Sequence, residues 1–162
     1  MLRKLISTTN DWTLTVIRLA LGTVMFAHGA QKMLGWFGGF GFSGTMGFFT
    51  KQMGIPAPLA FLAIAAEFFG GLGLIAGLLS RIAAFGFIVN MVVAIITTHF
   101  ANGLFMNWAG NQKGEGFEFH ILAIALGLAV MVRGAGALSA DAWINCAQTQ
   151  CANRLTMHKQ AA

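Results

Sequence analysis

Residues 58–79 read PLAFLAIAAEFFGGLGLIAGLL, an apolar run interrupted by a single charge, Glu67. A helix of roughly 20 apolar residues crosses the hydrocarbon core of a bilayer, so this stretch predicts a transmembrane span. A charge that deep is costly and needs a partner or a purpose. Three further stretches extend the pattern: 12–34, which holds Arg18, 82–100, which carries no formal charge, and 117–133, which is short for a span. All four are expected to be helical, because lipid offers no partner for a free backbone amide and too few residues remain for a barrel.

Composition agrees. Hydrophobic residues make up 57% of the 162 residues and charged residues 9%, where ordinary soluble domains carry roughly 25%. The fold class expected is therefore an all-α integral membrane protein, a bundle of four transmembrane helices. Residues 1–145 form its single domain, and 146–162 form a cytoplasmic tail. The net charge of +5 comes from ten Lys and Arg scattered along the chain. No basic run interleaves with aromatics, which excludes a nucleic-acid footprint and leaves membrane lipid as the expected partner. The N-terminus has a leader-like pattern, Arg3 and Lys4 followed by an apolar stretch and Ala27-His28-Gly29-Ala30, but Arg18 inside that stretch argues against cleavage. Cys146 and Cys151 have neither redox-pair nor zinc spacing and are read as inert thiols.

The connections differ. Ser80-Arg81 is expected to be a tight turn between the second and third spans. Between the first and second lies a Gly- and Phe-rich stretch, residues 35–42, after which Ser43 could cap a short helix lying at the membrane surface with Met46, Phe49 and Met53 on one face. The glycines of this stretch follow no strand, so they form no phosphate cradle. Trp108 suits an interfacial anchor. One side of the membrane would collect Arg3, Lys4, Arg81, Arg133, Arg154 and Lys159, and the other Lys32, Lys51 and Lys113. Six against three predicts both termini in the cytoplasm of a multi-pass protein of a bacterial inner membrane.

Helical phase places Arg18, Gly22, Met25, Gly29 and Lys32 on one stripe, and Glu67 with Ala60, Ala63, Gly70, Gly71 and Leu74 on another. Small residues around a charge mark a helix-packing face. Arg18 lies about 9 Å from the start of its helix and Glu67 about 18 Å from the end of its own, so the two are expected to pair. Gly73 and Gly77 add a GxxxG spacing. His28, His99 and His120 fall near the outer ends of three spans, where with Glu118, Gln31 and Lys32 they could ring a pocket. None belongs to an HxxxH or HxxE pair, so no metal is expected and haem is not favoured. Asn90, Thr97 and Thr98 are expected to hydrogen-bond between helices.

These residues together resemble the DoxX family of small bacterial membrane proteins. The resemblance rests on Arg18, His28-Gly29 and Lys32, then Gly54-Ile55-Pro56, Glu67 with Gly70-Gly71 and Gly77, and Arg81. It continues through Gly116-Phe117-Glu118 and Gly134-Ala135-Gly136 to Ser139 and Asp141. Ala135 stands where the family commonly has Pro. The resemblance implies a four-helix bundle linked to quinone or thiosulfate oxidation, or to thiol and oxidative-stress complexes with soluble partners. The expected function is an inner-membrane subunit of a quinone- or thiol-linked oxidoreductase system, with a quinone-like or other small ligand held among Arg18, His28, Lys32, Glu67, His99, Glu118 and His120. The competing readings are a non-catalytic scaffold that docks redox partners, and a small transporter using Glu67 as a proton site.

Overall fold

A computed structural model describes residues 2–147; the rest of the expected tail, with Cys151, Arg154 and Lys159, lies outside them. After a short helix α1 (Leu2–Leu5), Asp11 accepts hydrogen bonds from the N–H groups of Thr13 and Leu14 at 2.8 and 3.4 Å. These satisfy donors that a helix start leaves orphaned, and α2 runs from there over Trp12–Leu34. Gly35, in the left-handed conformation, stops it. Helix α3 (Gly41–Gly47) continues into a π-helical turn, Phe48–Gln52. Helix α4 (Ala57–Ala76) follows, then α5 (Ser80–Ala94), which is prolonged by a second π-helical turn, Ile95–His99, and by Phe100–Asn102. Helix α6 spans Glu118–Arg133, and residues 140–147 form a last helix, α7. No strand occurs among the described residues.

Three helices, Trp12–Leu34, Ala57–Ala76 and Ser80–Asn102, are long and apolar enough to cross a membrane. Helix α6 rises roughly 24 Å at 1.5 Å per residue, below the roughly 30 Å of a hydrocarbon core. Helix α4 packs on α2 and α5, and α6 closes the ring against α5 and α2. Leu21, Met25, Leu74, Phe87, Met91 and Val130 fill its interior. Val16, Leu62, Phe69, Phe85, Ile96, Leu122 and Val132 point outward and are exposed, as expected of a surface solvated by lipid.

The α2–α4 contact depends on glycine. A Cβ on Gly29 would lie 2.5 Å from the backbone of Phe68, and one on Gly71 would lie 2.6 Å from Phe26 N. Gly70, one residue away, would meet nothing closer than 3.8 Å. Gly29→Ala is therefore expected to force the helices apart at a cost of about 1–3 kcal/mol, while Gly70→Ala is near neutral. Thermal unfolding in detergent checks this; equal melting of the two variants would contradict it.

At one end of the bundle the chain after α6 is folded back as a clamp. Arg18, 1% exposed, donates from Nε to Ala135 O at 2.9 Å, from Nη1 to Leu74 O and to Ile75 O (2.6 Å), and from Nη2 to Leu138 O at 3.2 Å. Thr15 Oγ1 donates to Ala137 O at 2.7 Å. The buried Asp141 carboxylate accepts from Leu79 N at 2.8 Å and Ser80 N at 3.0 Å. Arg81 donates to Ser7 O and to the Met131 and Val132 carbonyls that end α6. A Cβ on Gly77 would lie 2.4 Å from Ser139 Cβ, so the GxxxG glycine serves this clamp.

Three sequence expectations change here. Ser80 and Arg81 begin α5, and Gly77–Leu79 make the turn, because Asp141 caps the helix from outside it. Arg18 does not pair with Glu67. Its guanidinium is satisfied by carbonyls at the C-terminal end of α4, the negative end of that helix's dipole, about 10 Å along the axis from Glu67. The surface helix starts at Gly41 with Phe40 as its cap, so Ser43 lies inside it. That segment is fastened by ring contacts of Trp36 with Phe26 at 6.4 Å and of Phe42 with Phe61 at 6.2 Å.

Candidate functional site

The opposite end of the bundle is less completely filled. Helix α2 brings His28 and Lys32, α4 Glu67, α5 Met91 and Ala94, and α6 Phe119 and His120 around a cavity of about 400 Å³. His99, from the π-helical turn after α5, and Met106 and Glu115, from the 103–117 connection, complete the wall. π-helical turns displace side chains from the regular helical register and recur at functional sites.

Lys32 and Glu67 form a salt bridge in this wall, with side-chain exposures of 28% and 10%. The pairing follows from the α2–α4 contact: Gly29 abuts Glu67 and Phe68, so Lys32, one turn further along α2, reaches the carboxylate. The imidazoles of His99 and His120 lie with ring centroids 4.2 Å apart. His99 Nδ1 is 2.8 Å from the backbone O of Glu115. A carbonyl can only accept, so Nδ1 carries the hydrogen and the neutral ring keeps Nε2 as an acceptor. His120 is 8% exposed, and its Nδ1 is buried without a hydrogen-bond partner. Buried polar atoms are rarely left so, and the ring that carries this one lines the cavity.

Of the seven residues singled out from sequence, His28, Lys32, Glu67, His99 and His120 line this cavity. Arg18 sits in the clamp at the other end. Glu118 Oε1 accepts from Met106 N at 3.0 Å and Trp108 Nε1 at 3.1 Å, so it pins the 103–117 loop and does not line the cavity. Trp108 itself is 87% exposed. Asn90 bridges α5 to α4 through Ala63 O at 2.8 Å, whereas Thr97 bonds back to Val93 O in its own helix. Sequence reading missed Glu115, Met25, Met91 and Met106. The phase of Met25, on the stripe of Gly29 and Lys32, is the one signal that could have found any of them. No three His, Cys, Asp or Glu side chains among the described residues are placed to hold a metal ion. The arrangement offers a mainly apolar chamber with hydrogen-bonding groups and an ion pair in its wall. Small polar rings are bound in such chambers.

The sequence profile described as DoxX matches residues 13–100. The chain is 30% identical over 115 residues to the Bacillus subtilis (strain 168) protein named "Putative oxidoreductase CatD", covering 71% of this chain and 75% of that one. No solved structure matches it.

Proposed function

The chain belongs to the DoxX family, and on that premise we propose that it is a membrane subunit of a redox system that seats a quinone-type ring in the histidine-lined cavity. The carrying observation is a cavity wall that gathers His28, His99 and His120 beside the Lys32–Glu67 pair. A quinone presents two carbonyl oxygens on an apolar ring, and its reduction takes up two protons with two electrons. The ring nitrogens of His120 and His99 suit hydrogen bonds to such oxygens and the hand-over of a proton along them. Lys32 suits the charge that develops on a reduced oxygen. The name of the Bacillus relative supports an oxidoreductase setting, in which the electrons come from a protein partner docked on the loops.

In this reading the four long helices all span a bacterial cytoplasmic membrane with both termini inside, following the excess of Lys and Arg at the clamp end. Reporters fused after Arg81 and at the C-terminus should read cytoplasm, and one inserted near Gly110 should read periplasm. A periplasmic C-terminus would break the four-span arrangement. For the ligand, protein purified in mild detergent is expected to retain an extractable quinone, identified by mass and by its redox difference spectrum. Protein free of any redox-active molecule that also fails to bind added short-chain quinone would leave the docking scaffold as the better reading.

A further inference from the structure

The histidine-lined cavity has a neighbour across a shared wall. A second cavity of about 200 Å³ shares Lys32, Glu67, Ala94 and His99 with it. Its remaining wall comes from the segment Phe48 to Ile55, from Ala63 of α4 and from Asn90, Val93, Thr97 and Thr98 of the α5 arm. His28, Glu115 and His120 line only the first cavity. Both cavities are walled mainly by apolar surface, and away from the shared residues the second is lined by the apolar side chains of Phe48, Phe49, Met53, Ile55 and Val93 interleaved with Asn90, Thr97 and Thr98.

The second cavity reaches the outside of the bundle. Phe48 and Val93 are 44% and 42% exposed, and Ile96, on the same arm of α5, is 70% exposed. Both π-helical turns among the described residues border this opening, one supplying Phe48 and Phe49, the other Thr97 and His99. The Asn90 to Ala63 O bond ties α5 to α4 beside it.

We infer that this second cavity is a lateral channel for the hydrocarbon chain of a lipid-dissolved ligand, whose ring enters the histidine-lined cavity from within the bilayer, past Ala94. The inference rests on the reading of the first cavity as a ring site. A water-soluble substrate would gain little from the exposed Phe48 and Val93 at that opening. An isoprenoid or alkyl tail buries apolar surface there and leaves the ring oxygens to the histidines and Lys32.

The test compares two probes carrying the same benzoquinone ring, one without a tail and one with a decyl chain. Both are titrated against the full chain in lipid nanodiscs, with partition into empty nanodiscs subtracted. The wild-type protein is expected to bind the decyl probe at least about tenfold more tightly, about 1.4 kcal/mol. In Val93→Trp, and separately in Thr97→Trp, that ratio is expected to fall below about threefold. Both positions are at the exposed mouth, so a bulky ring there can be accommodated without disturbing the core. An unchanged ratio in both variants would overturn the channel while leaving the ring site standing. Failure of both probes to bind the wild-type protein would overturn the ring site and the channel with it.

Discussion

Arg18→Leu is expected to leave almost no folded protein. The substitution keeps side-chain bulk but withdraws the donors that serve the carbonyls of Leu74, Ile75, Ala135 and Leu138. Each buried group left short of a partner costs about 1–3 kcal/mol, and several such losses approach the whole stability of a domain, about 5–15 kcal/mol. Arg18→Lys should rescue only partly, because one ammonium cannot span carbonyls that a planar guanidinium reaches on several sides. Size-exclusion of a fluorescent fusion after solubilisation reads the folded fraction. Near-normal yield of Arg18→Leu would mean that the clamp does not hold the bundle. Adding Glu67→Gln should bring no relief, since the two side chains share no contact and independent sites add.

Lys32 and Glu67 should behave differently. Lys32→Met strands a carboxylate that is 10% exposed, and Glu67→Gln strands an ammonium at 28%. Breaking a buried pair from one side costs about 3–5 kcal/mol, an upper bound here because Lys32 still touches solvent. Glu67 should therefore suffer the larger stranding, so Lys32→Met is the more damaging single change. The double variant should melt closer to the wild-type protein than the sum of the two losses implies. Simple additivity would show that the pair does not form in the membrane.

The helices were legible because apolar length and phase are local properties. Of the stripe Arg18, Gly22, Met25, Gly29 and Lys32, all but Met25 meet α4 directly. Of the stripe Ala60, Ala63, Glu67, Gly70, Gly71 and Leu74, the residues Glu67, Gly71 and Leu74 meet α2. Gly70 lies toward Ala83 and Ala63 O accepts from Asn90, both of α5. What phase does not carry is axial register. With Gly29 set against Glu67, the partner of Glu67 becomes Lys32, and Arg18 falls beside the carbonyls ending α4. The clamp could not be read from spacing, because residues 134–141 have no period and act through backbone carbonyls and an external cap. The histidines were found as boundary residues. That His99 and His120 come together while Glu118 turns to the loop depends on a π-helical turn that composition does not announce.

The reading of the cavity as a ring site is tested most directly by titrating a short-chain benzoquinone into the wild-type protein and His120→Leu, with unfolding temperature followed alongside. Leucine removes a buried nitrogen that has no partner in the protein, so stability should hold or rise. If that nitrogen contacts the ligand, affinity should fall at least about tenfold, about 1.4 kcal/mol. Weaker binding by a protein that melts no lower than the wild type is the predicted result. Unchanged affinity, or a loss of stability without a change in binding, would show that His120 serves the fold and that the cavity does not seat the ring.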